Sequence, residues 1–476
     1  MSETSAAQTA TPHTKRPLGT FEITAIGIGF MGPVMAMSLN GIGVAGLVGK
    51  SVPFTFLVAF VGTLFVAYGF VRLTRKITHA GSVYALAGTT LGPKAGFFGG
   101  FALLGTYIFF AACIVGACAV FFEAMLAEMG VVLAPGMWMI VAAVVGVAAL
   151  ALNLRESAIV ARTLLGIGFV GIGAMLILAI VIIVKIAAGD APVSTGIDLS
   201  TLTPGDAPIT AIMTAAVFGF LSWAGFESGT SLGEESDDPK RHVPRAVLLA
   251  VIIGGLVYVF MMFAQTIGFG TDQAGIDAFA NASSTLTTLA STYIGPWFAV
   301  LISIIAFLVA FGALLSSSTA ASRLLFALAR DGFGPKAFAR LNERTQVPSA
   351  SVTVAVLLTT VMALVLGVFG ATSVDAYYWY ATMGTLCMVV AYGMTAVGVI
   401  RHMFTPNSGI KKWEVIFPLL ALAFLIYVYV IQIVGQEPPY TYFPWLAGAW
   451  CIVGLIIVLS QPQLAKRIGA RLTVED

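Results

Sequence analysis

The carboxylate of Glu227 is the group in this chain whose setting most suggests chemistry. It lies just past an interruption, Ser222-Trp223-Ala224-Gly225, in an otherwise apolar stretch, and an acidic and then basic loop follows it. A desolvated carboxylate there has two uses. It can cap the N–H groups and positive dipole end of the segment it opens, or it can take up and release a proton. Both readings stay open. A second interruption, Gly29-Phe30-Met31-Gly32-Pro33, stands near the N-terminus. Its glycines allow close approach of a ligand to the backbone, although glycine equally serves close helix packing.

The elements that must position these groups follow from composition. Of 476 residues, 59% are hydrophobic and only 10% charged, and the mean hydropathy is +0.97. A water-soluble surface cannot be built from so few charges. Apolar runs repeatedly reach the roughly 20 residues that a helix needs to cross a bilayer. Twelve spans are expected, at about 20–48, 52–74, 94–125, 134–153, 160–187, 208–232, 245–270, 294–322, 348–370, 374–401, 413–435 and 441–462. With the N-terminus placed inside, 22 of the 24 basic residues fall on the cytoplasmic side, leaving Lys50 and Lys185 outside. The net charge of +2 is therefore a topology signal and says nothing of nucleic acid. Residues 1–18 and 464–476 read as cytoplasmic tails, the first disordered, with no signal peptide.

Several function classes lose support. The four histidines, His13, His79, His242 and His402, fall in the tail or in loops, against a histidine relay at bilayer depth. No phosphate-binding loop and no paired metal-ligand cluster appears, against an ATP-driven pump, a metal site or a membrane enzyme. The cysteines Cys113, Cys118, Cys387 and Cys451 all lie within spans and read as small buried hydrophobes. Glu22 fits a helix N-terminus, and Glu123 and Glu128 fit a rim.

Irregular backbone is tolerated at membrane depth only where it is buried in protein or lines a cavity. Two broken helices at matching positions of two halves are the sequence pointer to a secondary transporter's midplane site. Carbonyls ending one half-helix suit an ammonium group, and N–H groups opening the next suit a carboxylate, so a zwitterionic amino acid matches both. Pro33 has no N–H and weakens the carboxylate half. Tyr107 and Trp223 are candidates to shape the site. The cluster Tyr377-Tyr378-Trp379-Tyr380 reads first as an interfacial belt.

At the level of motifs, the chain resembles the amino acid–polyamine–organocation superfamily over nearly its whole length. Gly225-Phe226-Glu227, followed by Glu234-Glu235, Asp238-Pro239, Arg241 and Pro244-Arg245-Ala246, is similar to that family's sixth-helix signature. Residues 323–332 with Pro335 and Pro348 resemble the segment after its eighth helix. Gly81-Ser82-Val83-Tyr84 resembles its Gly-Gly-x-Tyr, with Ser82 in place of the second glycine. Asn153 with Glu156-Ser157-Ala158 fits the start of its fifth helix.

The resemblance implies an all-α integral membrane protein of the leucine-transporter-like fold. Helices 1–5 (19–190) and 6–10 (206–402) would form inverted repeats with helices 1 and 6 discontinuous, and two helices (411–463) would be appended. It implies a substrate site at Gly29, Phe30, Met31, Gly32, Pro33, Tyr107, Ser222, Trp223, Ala224 and Gly225, with Glu227 as half-helix cap or coupling group. Gly32-Pro33-Val34 departs from the family's usual Gly-Ser-Gly, and putrescine-importer-like members carry a proline there. Ser316 and Ser317 fall near the hydroxyl pair that binds sodium in sodium-coupled members. The lysine of some proton-coupled members has no counterpart near Gly168. The expectation is a multi-pass plasma-membrane permease importing a small amino acid, with both termini cytoplasmic. Its partners would be a small-molecule substrate and the lipid bilayer, with no cofactor beyond sodium or a proton. A polyamine or organic-cation importer and an amino acid exchanger on the same fold are the alternatives.

Overall fold

A computed structural model describes residues 18–77, 82–155, 158–193, 195–330, 332–343, 345, 347–406, 408–434 and 436–461, except the side chains of 158–161 and Glu234. The two expected tails, apart from residue 18, lie outside the described residues, as do His13, His79, Gly81, Glu156, Ser157 and Arg344.

The described residues are helical almost throughout. Helices α1 (Thr20–Met31), α2 (Pro33–Val48), α3 (Val52–Thr74), α4 (Val83–Leu91) and α5 (Pro93–Glu128) come first. Then follow α6 (Trp138–Arg155), α7 (Ala158–Ala188), α8 (Ile209–Leu221), α9 (Pro239–Phe269), α10 (Gln273–Ala280) and α11 (Thr285–Tyr293). The last are α12 (Pro296–Arg330), α13 (Ser349–Val368), α14 (Ser373–Met403), α15 (Ile416–Ile431) and α16 (Phe443–Ser460). Prolines open several of them, Pro33, Pro93 and Pro239 among them, where a missing N–H costs nothing.

Ten helical stretches are long and apolar enough to cross a membrane, and eleven when α8 and the bent segment after it are taken as one span. The sequence reading of twelve differs because it separates the first span from the second. In the structure α2 and α3 follow one another through a short turn at Gly49–Ser51, and together they cover 42 residues. Other differences are local. Helix α9 begins at Pro239 rather than near 245, so Pro244 sits inside it. Helices α10 and α11, between expected spans, are short, and Asp272 starts the first by accepting the Gly275 N–H at 3.0 Å.

Helices α5 and α14 lie at the centre, and both bury most of their circumference. Helices α6, α7, α15 and α16 form the perimeter and present apolar side chains such as Val147, Val184, Ile426 and Ile456 outward, as the bilayer face of a bundle requires. Small residues set the central spacing. A methyl placed on Gly116 of α5 would fall 2.9 Å from the Ser373 carbonyl oxygen and 3.0 Å from the Tyr377 nitrogen of α14. All four cysteines are buried and free.

Backbone atoms cannot yield as a flexible side chain can, so Gly116→Leu must separate α5 from α14. The expected cost is about 1–3 kcal/mol, read as a lower thermal midpoint of the detergent-solubilised protein.

Candidate functional site

Both interruptions are real breaks in the helical path. Gly32, with φ at 57°, separates α1 from α2, and its N–H reaches back to the Gly29 carbonyl at 3.3 Å. That is the left-handed helix ending that glycine favours, and Pro33 then opens α2 directly. The second break is longer. After α8, residues 222–225 turn, Gly225 takes φ 100°, and a 3₁₀ helix (Phe226–Glu235) continues at 41° to α8.

The two breaks touch. A methyl on Gly225 would fall 2.1 Å from Cδ1 of Phe30, and one on Gly27 would lie 3.8 Å from the Phe226 carbonyl oxygen. Phe30 also meets the Tyr107 ring, with centroids 6.0 Å apart. Met31 packs toward Gly254 of α9, and Gly32 faces Val309 and Ala313 of α12. Gly29 faces Leu165 of α7. Pro33 is buried and Ala224 half-buried.

Glu227, only 1% exposed, is the hub of the second break. Its carboxylate accepts the Gly225 N–H at 3.1 Å, the Tyr107 hydroxyl at 3.2 Å and the Tyr392 hydroxyl at short range. These donors come from the break itself, α5 and α14. A buried carboxylate needs such donors when no cation pairs with it. Other N–H groups of the second break are also engaged: Ser222 with Gly219 O, Trp223 with Phe220 O, Ala224 with Leu221 O and Phe226 with Trp223 O. The carbonyls of Ser222 and Ala224 take none of these bonds. The second break therefore offers acceptors more than donors, and an acceptor-rich backbone beside a carboxylate suits a cation. At the first break the N–H groups of Val34 and Met35 open α2, where no preceding turn can accept them.

Ser222 extends the site away from Glu227. Its hydroxyl accepts from Asn40 Nδ2 at 2.8 Å, and Asn40 Oδ1 accepts from the Tyr377 hydroxyl at 2.6 Å. Trp223 lies elsewhere: fully buried, it stacks on Phe60 at 5.9 Å, meets Tyr258 edge-on at 5.1 Å and donates its indole N–H to Val251 O at 3.3 Å. Ser316 and Ser317 of α12 have different partners. Ser317 donates to the Tyr107 carbonyl at 3.0 Å, whereas Ser316 is exposed and bonds back to Gly312 O at 3.0 Å. Among the described residues no cluster of His, Cys, Asp or Glu is arranged to hold a metal.

Sequence reasoning did not find Tyr392 or Asn40, and it singled out Tyr377 only as one of an aromatic cluster. Asn40 carries a usable signal, an amide within an apolar span. Tyr392 carries none, because a lone tyrosine in such a span reads equally as packing. The Tyr377–Tyr380 cluster is no interfacial belt: Tyr377, Tyr378 and Tyr380 are buried, and their hydroxyls donate to Asn40, Leu39 O and Met362 O. An enclosed α14 gives these hydroxyls interior acceptors.

The sequence pattern that defines the amino acid permease family runs from residue 18 to residue 458. The chain belongs to that family. This permease is similar to the low-affinity putrescine importer PlaP of Escherichia coli, 26% identical over 71% of the chain and 72% of the importer. It is similar to the branched-chain amino acid permease BcaP of Bacillus subtilis, 24% identical over 95% of the chain and 94% of that permease. It is also similar to the human cationic amino acid transporter 4, 25% identical over 83% of the chain and 61% of that transporter. The protein is a multi-pass membrane transporter and not an enzyme.

Tyr392→Phe leaves the Glu227 carboxylate buried with one donor fewer. The expected loss is about 1–3 kcal/mol, measured by thermal unfolding in detergent. Tyr380→Phe, which removes a hydroxyl from a carbonyl rather than from a carboxylate, is expected to lose less in the same assay.

Proposed function

We propose that this permease imports a small amino acid across the plasma membrane by alternating access, driven by a sodium or proton gradient. The observation that carries the reading is the contact between the two broken segments. Phe30 of the first covers Gly225 of the second, with Glu227 and the unengaged carbonyls of Ser222 and Ala224 alongside. The substrate ammonium would lie against those acceptors, and its carboxylate against the N–H groups of Val34 and Met35. Phe30 would have to swing off Gly225 to admit it. We read 33–48 and 52–74 as separate passes, for twelve spans in an inverted repeat, and place both termini in the cytoplasm, a reading that the distribution of basic residues supports.

A diamine is the second reading, and one feature favours it. Pro33 removes an N–H where a carboxylate would bind, and the chain is similar to a putrescine importer. Against it, a dication calls for two acidic contacts, and Glu227 is the carboxylate that the breaks supply.

Proteoliposomes with labelled substrate decide between them, with sodium and pH gradients imposed separately. Uptake is expected to be competed by small neutral amino acids and not by putrescine. The reverse pattern transfers the site to diamines. Gly225→Leu combines a forbidden φ with a clash against Phe30 and is expected to reduce uptake to background at normal expression. Intact uptake in that variant overturns the site.

A further inference from the structure

A groove of 240 Å³ opens between α3 and α9, lined by Leu57, Phe60, Leu202, Gly255, Val259 and Phe263 among others. We propose that it binds one acyl chain of a bilayer phospholipid, and that the chain bears through Phe60 on Trp223 in the second break.

The groove exists because α9 has glycine at two adjacent positions. A methyl on Gly255 would fall 2.2 Å from Phe60, so the glycine lets that ring form the floor. One on Gly254 would lie 3.5 Å from the Trp223 indole nitrogen. Phe60 and Trp223 are stacked with parallel planes, 1° apart in tilt. The floor of the groove and the segment that follows α8 are therefore one packed unit.

Chemistry selects the occupant. The lining side chains are all apolar, and a water needs two to four polar partners, at about 30 Å³ each in the liquid, so the space does not hydrate. It is continuous with the face that α9 turns to hydrocarbon, where Leu256 is 63% and Phe260 37% exposed. A flexible hydrocarbon tail drawn from that face matches the groove.

The head of the lipid also has a place. Leu202 at one end of the groove belongs to the turn Leu199–Leu202, which Lys50 holds through Ser200 Oγ at 2.9 Å and Asp198 at 3.0 Å. Hydrogen bonds from Ser200 and Lys50 keep the Asp198 carboxyl below the usual carboxylate range. Lys50 stays 36% exposed, a cation at the end of the helix where a phosphate would lie. From Phe263 to Gly255 the helix rises about 12 Å, enough to take a tail from the interface toward the bilayer centre.

The test uses the full chain in nanodiscs containing a phosphatidylglycerol with a photoactivatable diazirine midway along one acyl chain. After illumination and proteolysis, label is expected to concentrate on 57–60 and 255–263, several-fold above α6 positions such as Val144 and Val147, although these are 64% and 69% exposed. Val259→Trp, which fills the groove, is expected to remove that excess and leave the α6 labelling unchanged. Label spread in proportion to exposure, or undiminished in Val259→Trp, overturns the proposal. Labelling needs no transport, so its outcome is independent of the substrate assignment. The relay is read separately: in the same nanodiscs Phe60→Ala is expected to keep the labelling excess but lose the emission change that lipid exchange produces in the parent, a change that its loss in Trp223→Phe assigns to that indole; a change that persists in Phe60→Ala removes the relay. No such change in the parent, with labelling intact, removes the relay.

Discussion

Everything at the centre of this protein depends on one constraint, that a backbone N–H or C=O freed from a helix in an apolar medium must find another partner. The chain breaks its helical path twice and meets the constraint differently each time. At Gly32 a single left-handed residue suffices, its N–H turning back to Gly29. After α8 four residues turn, and a side chain must help: Glu227 accepts the Gly225 N–H that no carbonyl takes. The carboxylate so used is itself buried, and it draws hydroxyls from α5 and α14. Repairing one amide thus ties together the two helices that form the core of the bundle.

That chain of dependence explains the arrangement around the site. Tyr107 serves twice, its hydroxyl on Glu227 and its carbonyl on Ser317 of α12. Ser222 carries the linkage the other way, through Asn40 on α2 to Tyr377 on α14. A rearrangement of the second break therefore has contacts through which to reach α2, α5, α12 and α14 together. No cation enters these contacts, so an ammonium placed beside Glu227 would meet an acceptor with no positive partner.

How much of this was legible in the sequence depends on whether a signal is local. Both breaks were, because glycine and proline within an apolar run have few other meanings, and the expected segments 29–33 and 222–225 contain the observed turns. Helix class was legible from hydropathy alone. The partners of Glu227 were not, since Tyr392 lies 165 residues away and a tyrosine in an apolar span names no partner. Tyr377 and its neighbours were misplaced for a related reason. Aromatic clusters near helix ends suit an interface, and only the enclosure of α14 by its neighbours sends their hydroxyls inward. The turn at Gly49–Ser51 was legible as well, since the expected spans 20–48 and 52–74 stop and restart where α2 ends and α3 begins.

The contacts at the far ends of the two broken segments suggest which parts move as one. Leu18, just before α1, donates its N–H to the Glu235 carbonyl at 2.9 Å and accepts from the Ser236 hydroxyl at 3.0 Å. Thr20 bonds to Nδ1 of His242 at 2.6 Å, and Nε2 of that ring lies 3.3 Å from Asp237. Ile23 packs against Gly229 midway along. Helix α1 and the 226–235 helix are thus joined at both ends and in the middle, from Leu18–Ser236 to Phe30–Gly225. The two glycines with positive φ, Gly32 and Gly225, stand where the backbone of each segment leaves its helix. A displacement at the Leu18 end would therefore reach Phe30 and Glu227 together, since both lie on this joined pair.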